Sequence, residues 1–226
     1  FILSFKKHLM HWLKTNYKVL LLIIGAVSIY ANLIESVWFF GLKPLTTILI
    51  IIIPFTSLME MTSHFQKTVF VGLLFCLGGD VLILKNGFFL SALVCLLVAH
   101  LLFGFTFIKT FGFSRNWILL GIVIGTAIAV YSILFPHLGP LQLPVIGYMF
   151  GIGFMVWQGV GAYLNFRNKS TAYVALGASS FMLSDSLLAY NKFVAALPFE
   201  SIFVLSTYWF SLYCLSMASS KKVLSR

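Results

Sequence analysis

The chain has 226 residues, 61% of them hydrophobic and 9% charged, with a mean hydropathy of +1.03 and a net charge of +10. A soluble domain carries about 25% charged residues, so this composition excludes a separate soluble catalytic domain, a nucleotide-binding module and a sizeable extramembrane receptor portion. The positive charge lies in short loops and tails, not in a stripe interleaved with aromatic rings, so nucleic acid is not the expected partner.

Repeated apolar runs of roughly 20 residues predict an all-α, polytopic membrane protein. Residues 1–226 form a single transmembrane domain of eight spans joined by short loops. In chain order the spans are 17–34, 42–58, 69–84, 88–107, 117–135, 144–163, 172–189 and 199–218. The first follows Lys14 and Lys18. It is long enough to stay in the membrane and has no small-residue cleavage site after it, so no cleavable signal is expected. Pro44, Pro144 and Pro198 fall at helix entrances, where a missing N–H costs least, and Pro54 predicts a kink inside the second span. The Lys85-Asn86-Gly87 turn makes the third and fourth helices antiparallel. Gly121/Gly125 and Gly147/Gly151, each four apart, predict close helix packing. Cys76, Cys95 and Cys214 lie within apolar runs and read as small buried hydrophobes. No internal repeat stands out.

Lysine and arginine set the orientation. One side collects Lys6, Lys7, Lys14, Lys18, Lys67, Lys109, Arg115, Arg167, Lys169, Lys221, Lys222 and Arg226, and the other only Lys43, Lys85 and Lys192. This twelve-to-three bias places both termini in the cytoplasm, which agrees with an even number of spans.

The five acidic residues are Glu35, Glu60, Asp80, Asp185 and Glu200. The three glutamates sit at span edges or loops, where solvation is the expected fate. Asp80 and Asp185 lie inside apolar helices, where a carboxylate costs about 2.5–3.5 kcal/mol on insertion scales, and so mark a functional site. Each lies four residues before the outer end of its predicted span, roughly 6 Å deep, so one cavity could hold both. Lys43, Tyr190, Asn191 and Lys192 share that outer level. They either face the carboxylates or a lipid phosphate, or serve as interfacial anchors. His100, the one histidine inside a span, lies roughly 18 Å below the outer end of the fourth helix. It is either drawn toward the pair or a satisfied core histidine. A zinc hydrolase would need about three convergent ligands, and His8 and His11 belong to the basic amino-terminal tail. No Gly-x-Ser-x-Gly elbow occurs. The aspartyl-protease order of motifs is reversed here, and the inverted repeats of a transporter are not visible.

Four segments, in order, resemble one family: Lys43-Pro44-Leu45; Gly78-Gly79-Asp80-Val81-Leu82; Ala99-His100-Leu101-Leu102-Phe103; and Ser184-Asp185-Ser186-Leu187-Leu188-Ala189-Tyr190-Asn191-Lys192-Phe193. The chain thereby resembles the YhhN/TMEM86 family, the lysoplasmalogenases, from Lys43 to about Trp209. In Tyr208-Trp209-Phe210-Ser211-Leu212 it departs from that family's tyrosine pair followed by Ala-Gln, which bears on head-group contacts from the last helix.

The resemblance implies an eight-helix hydrolase of the membrane that cleaves the vinyl ether of lysoplasmalogens to a fatty aldehyde and glycerophosphoethanolamine or glycerophosphocholine. Asp80 and Asp185 are the expected catalytic residues. Lys43, His100, Ser184, Tyr190, Asn191 and Tyr208 are the expected substrate-binding ones. The partners are then a lysophospholipid substrate and bilayer lipids, with no obligatory protein partner, and the expected location is a bacterial inner membrane.

Vinyl ethers resist base and hydrolyse when acid protonates the β-carbon, giving an oxocarbenium ion that water captures. The reaction needs one protonated carboxyl and one carboxylate, a division that a close pair of carboxyls provides. It requires no metal or organic cofactor. A lysolipid or small-molecule transporter or binding protein with an acidic site is the alternative. A structural membrane subunit is a third reading, one in which both aspartates could be replaced by asparagine without loss.

Overall fold

The structure, a computed structural model, describes the backbone of residues 2–55 and 63–220 and the side chains of residues 16–52 and 63–220. The described residues form eight α-helices and two short 3₁₀ turns, without strands. The helices are α1 (Ile2–Leu33), α2 (Phe39–Phe55), α3 (His64–Ile83), α4 (Phe89–Phe111), α5 (Trp117–Leu134), α6 (Gln142–Phe166), α7 (Lys169–Phe193) and α8 (Glu200–Ala218). Seven are long and apolar enough to cross a membrane; the apolar stretch of α2, Phe39–Ile52, is shorter. The exterior carries large apolar side chains such as Leu22, Trp38, Ile118 and Phe150. Such a surface suits hydrocarbon, in which helices satisfy their own backbone. The protein is an integral membrane protein.

Sequential hairpins build the bundle. α3 packs on α4 and α7 on α8, while α4, α6 and α7 form the centre and α1 and α2 close the side next to α8. The core lies between these helices, around Phe103, Phe107, Met155, Phe181, Leu212 and Leu215. Only Val123 and Leu134 of α5 are buried, so this helix stands at the margin.

Several helix ends differ from the sequence reading. α1 starts at Ile2, well before residue 17, because the polar segment before the apolar run has no proline or glycine to stop a helix. α2 starts at Phe39, which puts Pro44 inside the helix and not at its entrance. Pro54 falls in its last described turn, and residues 56–58 of the predicted span lie outside the described residues, as do Glu60 and Lys221, Lys222 and Arg226. The side chains of Lys6, Lys7, His8, His11 and Lys14 are likewise outside them. α7 runs on to Phe193, so Asp185 lies eight residues, roughly 12 Å, from its helix end. Asp80 lies three residues from the end of α3. The two depths, counted from helix ends, are therefore unequal.

The predicted glycine contacts are also redistributed. A Cβ at Gly121, Gly125 or Gly147 would meet open space, because α5 stands off the bundle and Gly147 faces outward. Of the four, Gly151 does pack closely, against Leu97, and Gly72 does so against Phe103; at both a Cβ would overlap the facing side chain. Gly87, at φ +84°, turns the chain between α3 and α4, a conformation that glycine takes without steric cost.

Candidate active site

Three helices bring the first carboxylate into place. On α3, Gly79 lets the α4 side chain of Leu96 close against the backbone, and the next residue, Asp80, is 3% exposed. On α2, Lys43 and Thr47 are four residues apart and so share one face. Thr47 Oγ1 donates to Asp80 Oδ2 at 2.6 Å, and Lys43 Nζ lies 3.5 Å from Asp80 Oδ1. On α8, Tyr208 faces the same group; its hydroxyl donates to the Cys76 carbonyl at 3.5 Å, and its ring centroid lies 6.0 Å from Lys43 Nζ. A buried ion pair held this way also needs the hydrogen bond from Thr47, since attraction alone hardly offsets the loss of water.

The second carboxylate has different neighbours. Tyr148, on α6, donates its hydroxyl to Asp185 Oδ2. His100 Nε2, on α4, lies 3.9 Å from the same oxygen. The imidazole is fully buried, edge-on to Tyr148 at 5.2 Å and to Phe181 at 4.5 Å between ring centroids, and neither ring nitrogen has a hydrogen-bond partner. Asp80 therefore sits against a cation and a hydroxyl, and Asp185 against a phenol and an imidazole.

Both aspartates line one cavity of about 280 Å³ at the end of the bundle that carries the α1–α2, α3–α4 and α7–α8 connections. Lys43, Ser184 and Tyr208 line it too. The Ser184 hydroxyl is committed to the Val204 carbonyl at 2.9 Å, which ties α7 to α8. His100 lies behind Asp185 and is not part of the cavity wall. Tyr190 and Asn191 lie elsewhere. Tyr190 faces a separate shallow groove with Leu183 and Leu197, and Asn191 Oδ1 accepts from the Leu197 N–H at 2.8 Å, holding the α7–α8 connection. Lys192 lies over the Phe89 ring, 4.3 Å from its centroid.

Thr47 and Tyr148 are not among the residues the sequence singles out. The spacing of four from Lys43 could have pointed to Thr47. Tyr148 has no such signal, because it meets Asp185 across a helix interface. Glu200, expected to be solvated, is half-buried on the cavity wall. Nearby, Asn32 Nδ2 donates to Ser201 Oγ at 2.5 Å and joins α1 to α8. Among the described residues no group of three His, Cys, Asp or Glu side chains is arranged to hold a metal ion.

Residues 38–219 match the family described as the YhhN family. The chain is 29% identical to the human protein named "Lysoplasmalogenase TMEM86A" over 164 residues, 68% of this chain and 66% of that one. It is 32% identical over 152 residues to the Sus scrofa protein named "Lysoplasmalogenase TMEM86B", covering 66% and 62%. A third relative, "Lysoplasmalogenase TMEM86A" of Bos taurus, is 30% identical over 157 residues, covering 66% and 63%. The match thus spans just under two thirds of each relative's length. No solved structure matches the chain.

Proposed function

The chain belongs to the YhhN family, and on that footing we propose that it is a membrane-embedded hydrolase that cleaves the vinyl ether bond of lysoplasmalogens. The observation that carries this reading is the pair of buried carboxylates on one cavity wall, one beside a cation and the other accepting from a tyrosine hydroxyl. The names of the relatives point the same way.

In this reading Asp185 is the acid and Asp80 the carboxylate. Lys43 neutralises Asp80 and Thr47 orients it. Tyr148 occupies one oxygen of Asp185, which leaves the other oxygen to carry the proton. Asp185 transfers that proton to the β-carbon of the vinyl ether; the C=C electron pair forms the new C–H bond, and the ether oxygen takes up the positive charge as an oxocarbenium ion. Asp80 stabilises that ion and accepts a proton from the water that adds to its carbon. In the resulting hemiacetal the proton held by Asp80 passes to the glycerol oxygen as its C–O bond breaks. The hydroxyl oxygen forms the C=O bond as its proton returns to Asp185, giving a fatty aldehyde and a glycerophospho-alcohol with both carboxyls in their starting states. Glycosidases meet an oxocarbenium ion with two carboxyl groups in a comparable way. Lys43 also offers its charge to the lipid phosphate, and Glu200 suits the ammonium of an ethanolamine or choline head group. His100 supports Asp185 from behind.

The same reading has all eight helices crossing the bilayer, α2 included, with both termini cytoplasmic and the cavity toward the outer half of the membrane. The lysine and arginine distribution supports this orientation.

The test is aldehyde release from a lysoplasmalogen by the purified protein, for wild type, Asp80→Asn and Asp185→Asn. Release by wild type that is lost in both variants, and is slower in D₂O, supports the mechanism. Binding of the lipid without aldehyde release would make the protein a lysolipid carrier instead.

A further inference from the structure

A second opening meets the site on the other side of Asp185. It is a narrow crevice between α5 and the α4–α6–α7 core, about 70 Å³ in volume, with walls that include Val123, Ala127, Val130, Met149, Gly153 and Met182. Its lining is apolar apart from Asp185, Tyr148, Thr126 and Ser186. The hydroxyls of Thr126 and Ser186 are bonded to the carbonyls four residues before them, so they present little polarity to a ligand. Toward the middle of the bundle the crevice closes where α5 and α6 meet, since a Cβ on Gly153 would lie 3.3 Å from Val123 Cγ1. On its α5 flank Thr126 is exposed, so the crevice communicates there with the surroundings of the bundle.

Asp185, Ile83 and Leu96 line both this crevice and the polar cavity. The two spaces therefore share a wall, and the wall carries a carboxylate. One side offers Lys43, Asp80 and Glu200; the other offers almost nothing but hydrocarbon. A single-chain amphiphile whose reacting bond joins head to chain matches that division, and a molecule with its polar group in the cavity presents the bond beside Asp185.

We propose that the crevice between α5 and α7 is the subsite for the alkenyl chain of the substrate. This rests on the hydrolase reading for the identity of the lipid. The carbons next to the vinyl ether lie between Ala127, Val130 and Met182, and the distal chain leaves past Thr126 into the bilayer. The crevice, about 70 Å³, is narrow enough to admit one chain at a time beside Asp185.

The experiment uses the purified full chain in lipid nanodiscs. The probe is a saturated, non-hydrolysable 1-O-alkyl lysophosphatidylethanolamine carrying a photoreactive diazirine either near the ether oxygen or at the far end of the chain. The proximal probe should form adducts on Val123, Ala127, Val130 or Gly153, and excess unlabelled lysolipid should abolish them. The distal probe should label nanodisc lipid. Ala127→Phe, with thermal stability matched to wild type, should raise KM for a long-chain lysoplasmalogen about tenfold, since each excluded methylene is worth roughly fourfold in affinity.

Proximal adducts on other faces of the bundle would overturn the proposal, and so would equal competition by a diacyl phosphatidylcholine, which would mark the crevice as a seat for ordinary bilayer lipid. An unchanged KM in the variant would overturn it as well. Crevice adducts in a protein that releases no aldehyde would leave the chain subsite standing and remove the hydrolase reading. Turnover with adducts elsewhere would do the reverse.

Discussion

The two ends of the bundle bury polar groups in opposite ways. At the end away from the cavity, polar side chains are matched mainly to backbone groups. Gln66 Nε2 donates to the Ser219 carbonyl at 3.0 Å, Ser170 Oγ to the Ala218 carbonyl at 3.0 Å, and the Ser114 N–H to Gln158 Oε1 at 2.9 Å. Ser63, Asn116 and Asn168 cap α3, α5 and α7 there. At the cavity end, α4, α6 and α8 have no side-chain cap, two carboxylates line an open cavity, and a buried imidazole has no hydrogen-bond partner. At the far end, hydrogen bonds tie α3 and α7 to the end of α8 through its backbone. Groups that line a site face space, and their partners are charges and hydroxyls.

The largest test of that contrast is at the carboxylates. Asp80→Asn and Asp185→Asn should each lower turnover by at least about 10²–10⁴-fold at an unchanged thermal midpoint, because asparagine keeps the shape but supplies neither the catalytic proton nor the charge. Full activity in either variant, at matched expression, would take the pair out of the mechanism. Lys43→Ala comes next, with kcat/KM falling about 10²-fold. Loss of a lysine that held only the lipid phosphate, one of the alternatives the sequence leaves open, would raise KM only. The contact of Lys43 with Asp80 predicts a fall in kcat as well, and steady-state kinetics separate the two.

Tyr148→Phe should cost about tenfold in kcat with little change in KM, the size of one lost hydrogen bond to the acid. At the opposite end Gln66→Ala should do the converse. It strips the Ser219 carbonyl of its donor, at a cost of about 1–3 kcal/mol of stability, while turnover per folded molecule stays the same. A catalytic defect there, or a purely thermal one at Tyr148, would erase the distinction between the two ends. The smallest perturbation tests the orientation: tags at either terminus in sealed vesicles should react only from the cytoplasmic face, and labelling from outside would invert the bundle.

Much of the site could be read along the chain because a charge in an apolar run announces itself. Asp80 and Asp185 are visible that way, Lys43 by its level at the outer end of a span, and His100 by being the one histidine inside a span. Tyr190 and Asn191 share a motif and a helix with Asp185 yet face other grooves, a rotation that spacing along the chain does not give. Glu200, at a helix start, lines the cavity beside the contact of Asn32 with Ser201.

The sequence by itself determined that the chain is a helical membrane protein, roughly where its helices run, and that two aspartates stand where a carboxylate is costly. Those are properties of local composition, and transfer from water to hydrocarbon is decided residue by residue. Only the tertiary structure decided that Asp80 meets Lys43 and Thr47, that Asp185 meets Tyr148 and His100, and that a polar cavity and an apolar crevice share the wall between them. Membrane helices are apolar on nearly every face, so hydrophobic periodicity does not say which face turns inward; that rotation is set by which side chains of neighbouring helices fit together, such as Phe103 against Gly72 and Leu97 against Gly151.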